Sequence, residues 1–274
     1  MIILKSEHPK LIGIIDYYYF HESEHKEQTL QYSFFPNFKN AITAYLGSAV
    51  QFAQSKSNVQ PTDPDTLSIL YTTNYYGKID VSIHGPFQKI GIVFHPIGIN
   101  HFLKQSLHEI HSGETSHFNA LGEVFEETLR GVFAQTDQKQ RVYLLDQFFA
   151  ERLNPVDTKL TSAVHLIFQS KGDIRVHELA EILKCNRNTL LRLFKKHLTC
   201  SIEEYRKLIK FRLAFDEMQR QSKIPLTQLA LENNYYDQAD FIRQFKSLTH
   251  DLPSKLKQQL TSLGPNGPFW RIQE

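Results

Sequence analysis

The tightest constraint on this chain is an internal repeat: Arg192-Leu193-Phe194-Lys195 returns 51 residues later as Arg243-Gln244-Phe245-Lys246. Upstream of each copy stand Leu179-Ala180 and Leu229-Ala230, at the heads of the two preceding helical patterns, so a whole helix-turn-helix is duplicated. The second copy carries one extra residue in its turn. A duplicated unit says more about the fold than a single motif, because each copy must bury an equivalent apolar face.

Helical spacing divides each copy into two faces. In the first, Leu190, Leu193 and Phe194 point inward onto Leu179, Ala180 and Leu183, while Asn188, Arg192 and Lys195 form the outward stripe. In the second, Phe241, Phe245 and Leu248 pack inward, and Ala239, Arg243 and Lys246 face out. Asn186 and Asp237 precede the two helices at equivalent places and are expected to be their N-caps. A basic outer stripe on a short helix suits a DNA major groove about 12 Å wide. Between the copies, Ser201 to Arg220 reads as one amphipathic helix. Twenty helical residues span about 30 Å, close to the roughly 34 Å between successive major-groove segments on one duplex face.

Charge separates the two halves. Residues 1–157 hold 12 Lys+Arg against 17 Asp+Glu, a balance of −5, and residues 158–274 hold 19 against 12, a balance of +7. The asymmetry assigns a polyanion partner to the C-terminal half. The texture also changes near Asn154-Pro155. Runs at Leu11–Tyr19, Ala41–Leu46, Leu67–Thr72, Ile79–His84 and Lys89–Phe94 read as strands, with the cleanest alternation at Lys78 to Ile83. Helical patterns follow at Leu121–Phe133 and Gln140–Leu153. The expected fold is α+β: a β-rich, barrel-like domain with two helices over 1–157, an all-α double helix-turn-helix over 158–260, and a loose tail over 261–274.

Residues 160–257 resemble the DNA-binding domain of the AraC/XylS family, two helix-turn-helix units joined by a long helix. The second-unit signature of that family is matched by Leu229-Ala230, Asn234-Tyr235, Tyr236-Asp237, Phe241, Arg243, Phe245-Lys246, His250 and Pro253. Asn234, His250 and, in the first unit, Thr199 stand where the family has glycine, and Leu256-Lys257 stands where Tyr-Arg is common. The resemblance places base reading on Arg187, Asn188, Leu191 and Arg192 in the first unit, and on Gln238, Ala239, Ile242 and Arg243 in the second. Arginine can bind guanine bidentately, Asn or Gln can bind adenine, and Ala239 and Ile242 offer only apolar contact. Lys195, Arg206 and Lys246 are expected on phosphates, which fix register without reading sequence.

In the N-terminal half, Gly91 to Gly98 resembles a segment of a sensor-like domain often found before such units. Domains in that position generally resemble a ligand-binding β-barrel with helices used for dimerisation. Of the 33 aromatic residues, 22 precede Asp157, which fits either an ordinary core or an aromatic-lined effector pocket. Phe94 and His95 are the candidates for residues beside such a pocket. The two late helices carry an apolar surplus (Leu121, Val124, Phe125, Leu129, Phe133, Leu144, Leu145, Phe148, Phe149) that points to a homodimer.

Other features carry less chemistry. Six histidines fall between His84 and His117, including His108 and His111 at i, i+3, yet no third converging ligand is readable, so no metal and no other cofactor is expected. Cys185 and Cys200 make neither a disulfide framework nor a zinc motif. No apolar run of 18 residues is present, so no membrane partner is expected and the cytoplasm is the expected location. The chain contains no glycine-rich phosphate loop or nucleophile elbow, and it reads as a non-enzyme. The resulting expectation is a bacterial transcription factor that binds duplex DNA, meets RNA polymerase, and answers to a small-molecule effector at its N-terminal domain. The alternatives are a DNA-targeted alkyl-transfer or repair enzyme, which needs a reactive cysteine in the first half, and a regulator answering only to a protein partner.

Overall fold

The computed structural model describes residues 1–273 except 54, 74–76, 112, 114, 222 and 261–269. Alternation along the early strands builds two facing sheets. The first has the order β1 (Ile2–Leu4), β2 (Ile15–Ser23), β9 (Phe87–Phe94), β4 (Asn40–Leu46), β7 (Leu67–Thr72) and β10 (Thr115–His117). The second runs β11 (Trp270–Gln273), β3 (Thr29–Phe34), β8 (Ile79–His84), β6 (Lys56–Pro61) and β5 (Ser48–Ala53), and only β6 and β8 pair in parallel. The expected barrel is thus open, as two separate sheets.

Period-two alternation gives the first sheet two buried faces. Tyr18 and Phe20 of β2, Ile42 and Ala44 of β4, and Ile90, Ile92 and Phe94 of β9 turn outward onto helices α2 (Glu123–Phe133) and α3 (Gln138–Ala150). Tyr19, Tyr45, Leu70 and Val93, one register position over, turn toward the second sheet and meet Tyr32, Val59, Val81 and Ile83. The apolar surplus of the two helices is consumed here. Phe125, Leu129, Leu145, Phe148 and Phe149 are buried against the sheet, Leu121, Phe133 and Leu144 pack on the same core, and only Val124 and Tyr143 stay exposed. The surplus that argued for a homodimer is thus largely spent within the chain.

Several boundaries differ from the sequence reading: β9 begins two residues earlier than expected, at Phe87, and the helices expected over Leu121–Phe133 and Gln140–Leu153 run Glu123–Phe133 and Gln138–Ala150. The expected strand Leu11–Tyr19 begins only at Ile15, because Pro9–Leu11 forms a 3-10 turn and Gly13 takes a left-handed φ of 79°. Where a loose tail was expected, Trp270–Gln273 pairs antiparallel with β3; the rest of that segment, 261–269 and 274, lies outside the described residues.

The C-terminal half is helical: α4 (Thr158–Gln169), α5 (Val176–Ile182), α6 (Arg187–Leu198), α7 (Ile202–Arg220), α8 (Leu226–Glu232), α9 (Gln238–Thr249) and α10 (Pro253–Leu260), with the short α1 (Leu107–Ile110) in the N-terminal half. The duplicated units are α5–α6 and α8–α9. All three positions where glycine was replaced are left-handed: Thr199 at φ 60°, Asn234 at 59° and His250 at 60°. The turn geometry survives without glycine at the cost of backbone strain.

The halves share cores. Phe35, directly after β3, is 1% exposed and packs 5.1 Å from the ring of Phe215, in the cluster that holds the second unit. Phe38 meets Phe168 edge-on at 4.7 Å, and Ile97 joins the cluster of the first unit. Asn100 donates to the carbonyl of His197 at 3.2 Å and its amide oxygen meets that imidazole. An apolar interface of this kind resists free domain motion.

Two predictions follow from packing and strain. Thr199→Gly and His250→Gly each stabilise the fold by about 0.5–1 kcal/mol, whereas Asn234→Gly is near neutral because asparagine tolerates this backbone; urea unfolding measures all three, and a loss in both glycine variants contradicts the strain argument. Phe35→Ala lowers stability by about 3–5 kcal/mol, and amide exchange accelerates in α7 as well as in β3; acceleration confined to β3 contradicts a shared core.

Candidate nucleic-acid interface

Each reading helix is started by the cap its sequence offers. The Asn186 side-chain oxygen accepts from Thr189 N at 2.7 Å, and the Asp237 carboxylate accepts from Asp240 N at 2.7 Å. Inward, Leu190 and Phe194 are buried on Leu179 and Ala180, and Phe241 and Phe245 on Leu229 and Ala230. With the apolar faces thus fixed, the opposite stripes face solvent: Arg187, Asn188, Leu191, Arg192 and Lys195 on α6, and Gln238, Ala239, Arg243 and Lys246 on α9, with Ile242 half-buried. The sequence-predicted base readers therefore lie together on exposed faces at equivalent places of the two units.

The two arginines differ in preparation. Arg243 Nη2 donates to Asp240 at 2.5 Å, and Gln244 donates to both oxygens of the same carboxylate at 3.1 and 3.0 Å. Burial acts to raise the Asp240 pKa, but these hydrogen bonds, that of the Tyr236 amide and the charge of Arg243 outweigh it and hold the carboxyl below its usual range. Asp240 thus stays ionised and aligns the guanidinium along the helix. Arg192 has no ion pair among the described residues. Gln238 is engaged as well, accepting from the Thr227 hydroxyl at 2.6 Å.

Arg206 has a different job from the phosphate contact expected of it. Its guanidinium donates to the carbonyls of Gly172 and Asp173 at 3.1 and 3.0 Å and forms two bonds to Glu203 at 2.9 and 2.8 Å. Its donors therefore close the α4–α5 turn and are not directed at solvent. Gly172 must be glycine there, since its φ is 78° and a Cβ would lie 2.5 Å from the Arg206 carbonyl. Lys210, unremarked in the sequence, ties the α4–α5 turn to the α8–α9 turn by donating to Asp173 and to the Asn234 carbonyl, each at 3.0 Å. Tyr236, beside the cap of α9 in the longer second turn, is 89% exposed. In the sequence it enters only as part of the second-unit signature, with no role on the surface assigned to its ring.

The remaining candidates lie away from this surface. Phe94 is buried among Phe102 and Phe149 on the helix-facing side of the sheet. His95 stands 3.4 Å from Asp16, which Lys39 also holds at 2.6 Å. Of the histidines, His111 is enclosed by Thr73 and Ser116 and pushed down to about 4 by burial. Among the described residues no group of three His, Cys, Asp or Glu side chains is placed to hold a metal ion. Cys200 is buried, which pushes its thiol pKa up, and Cys185 is half-buried. No helix among the described residues is long and apolar enough to cross a membrane.

Residues 179–259 match a family described as a helix-turn-helix domain, a span that takes in both units and α7. No curated protein matches the chain. Among solved structures, the chain is similar to ToxT from Vibrio cholerae, at 13% identity and a TM-score of 0.49 over 89% of this chain and 98% of that one. A second ToxT structure, described as bound to an unsaturated fatty acid, aligns at 14% identity and 0.48 over 90% and 97%. An AraC-type regulator from Chromobacterium violaceum aligns at 21% identity and 0.36 over 39% of this chain and 95% of that one. With two capped units, paired basic stripes and a helix shared between them under one family match, the chain carries a helix-turn-helix domain over residues 179–259.

Proposed function

We propose that this protein is a sequence-specific regulator of transcription that reads duplex DNA with α6 and α9 and is controlled by a small-molecule effector at its N-terminal domain. The observation that carries the reading is the equivalent exposure of two basic stripes, Arg192 with Lys195 and Arg243 with Lys246, on two capped helices. Arg187, Asn188 and Arg192 are the hydrogen-bonding base readers of the first unit, with Leu191 beside them; Gln238 and Arg243 play that part in the second, with Ala239 and Ile242 against thymine methyls. Lys195 and Lys246 hold phosphates. RNA polymerase is the partner through which a DNA-bound regulator of this kind acts.

Effector control is supported by the shared cores, since Phe35, Phe38 and Ile97 make the β-rich domain part of the packing behind both reading helices. A ligand shifts DNA occupancy only if it binds one arrangement of that junction better than the other. The alkyl-transfer alternative lacks its nucleophile: residues 1–157 contain no cysteine.

The tests separate reading from positioning. With an operator chosen by in vitro selection from random duplexes, Arg192→Ala loses discrimination at particular base pairs, by roughly 1–3 kcal/mol for a bidentate contact. Lys246→Ala weakens all sequences alike and lowers the slope of log affinity against log salt by about 1. Fluorescence anisotropy at several salt concentrations measures both. Full affinity and unchanged selectivity in Arg192→Ala and Arg243→Ala together would refute the docking.

A further inference from the structure

The one extra residue in the turn of the second unit is Tyr236. Equivalent bonds in the two turns identify it: Cys185 N and Tyr235 N donate to the carbonyls of Ala180 and Ala230, each at 3.0 Å, and each follows a left-handed residue, Lys184 or Asn234. The cap comes next in the first unit, as Asn186, but in the second Tyr236 stands between Tyr235 and the cap Asp237. Tyr236 therefore has no counterpart beside α6. Its neighbours are anchored, since Tyr235 is buried edge-on against Phe241 at 5.1 Å and Asp237 starts α9. Its own amide donates to Asp240 at 3.4 Å. On this fixed backbone it is the most exposed large hydrophobic side chain among the described residues.

Charge gives the position its meaning. Residues 224–242 contain no Lys or Arg, whereas the equivalent residues 174–191 contain Arg175, Lys184 and Arg187. The first unit thus brings cations to its turn and to the first residue of its reading helix, and the second brings the carboxylates of Asp237 and Asp240 to the same end. Phosphates flank a helix that enters the major groove, so a duplex docked on α9 meets these carboxylates with no cation beside them. Both are already engaged, Asp237 by the Asp240 amide and Asp240 by Arg243 and Gln244. A neutral donor projecting past them can still hold a phosphate, and the Tyr236 hydroxyl makes no hydrogen bond among the described residues.

We infer that Tyr236 is a phosphate-binding residue at the N-terminal end of α9, its hydroxyl donating to the DNA backbone beside the groove that α9 reads; the inference rests on the docking of α9 proposed above. Tyrosine suits the task. An O–H bond to a charged oxygen is short and strong, and the side chain loses little freedom on binding because only two torsions must be fixed. At this end the two units then grip the backbone by different means, the first with charged groups and the second with a hydroxyl. The difference is measurable, because counterions are released by the Lys and Arg groups that neutralise phosphates. A hydroxyl contact adds affinity without adding salt dependence.

The experiment uses the full chain and the operator selected above, with anisotropy read at several salt concentrations. Tyr236→Phe keeps the exposed ring, removes the hydroxyl and leaves the thermal unfolding midpoint unchanged. It weakens operator and random duplex by the same factor, about tenfold as for a hydrogen bond to a charged group, and leaves base preferences as they are. Its slope of log affinity against log salt equals that of wild type, whereas Lys246→Ala lowers the slope by about 1. Operators carrying a neutral methylphosphonate in place of one phosphate then locate the contact. At one position in the segment read by α9, the loss seen with wild type is reduced in Tyr236→Phe, the non-additivity expected of direct partners.

Wild-type affinity of Tyr236→Phe for both duplexes overturns the inference. A loss confined to particular base pairs overturns it too, since that is the mark of a base reader, as do a lowered salt slope or losses that add at every phosphate. Any of these results beside an Arg192→Ala variant that loses discrimination leaves the DNA-reading function standing. A wild-type chain that binds no duplex overturns both.

Discussion

Helix α7 is the constraint on which the rest depends, because one helix belongs to three packing units at once. Its first half places Tyr205, Leu208 and Ile209 in the core of the first reading unit, and its second half places Phe211, Phe215 and Met218 in that of the second. Phe35 enters the latter from the β-rich domain. Since a packed helix does not stretch, the separation and phase of the two reading helices are set by the 19 residues of Ile202–Arg220. Lys210, bonded from the middle of this helix to the α4–α5 turn ahead of the first unit and to the turn of the second, ties the two sides together with polar contacts.

The reading surface then follows from subtraction. Once the apolar faces of α6 and α9 are committed to their cores, every remaining side chain on the outer stripe is available to a groove. The stripes are not equivalent, however. The first unit presents Arg187, Asn188 and Arg192, while the second presents one arginine already aligned by Asp240 and a glutamine engaged with Thr227. Aligned arginine loses less side-chain entropy on binding, but its carboxylate partner must then be tolerated close to DNA. The two helices thus divide the work differently, with the first richer in hydrogen-bonding readers.

The β-rich domain is organised around a polar interior. Its first sheet buries both faces, one on α2 and α3 and one on the second sheet, and the second of these interiors holds Lys89 among three tyrosines. Such an interior contributes less stability than an apolar one. Its proximity to Phe35 and Phe38 joins it to the helical domain through covalent continuity of β3 and β4.

The sequence by itself determined the double unit, its caps and its outward stripes, because a helix-turn-helix is local: 3.6-residue periodicity and the oxygens of Asn186 and Asp237 suffice to define it. It also determined the strands whose alternation is strong, such as Ile79–His84. Tertiary structure decided what depends on distant partners. Phe94 and the apolar faces of α2 and α3 looked available for a ligand or a second copy until the first sheet was seen to bury them. Arg206 looked like a phosphate contact until Gly172 and Asp173, more than thirty residues away in sequence, came within reach of its guanidinium. Lys89 gave only a faint signal, a charge in an inward register, since its meaning required Tyr19, Tyr32 and Tyr45 to converge from three other strands. Period and caps are written in adjacent residues; burial of a charge or a ring is decided by what the rest of the chain brings to it.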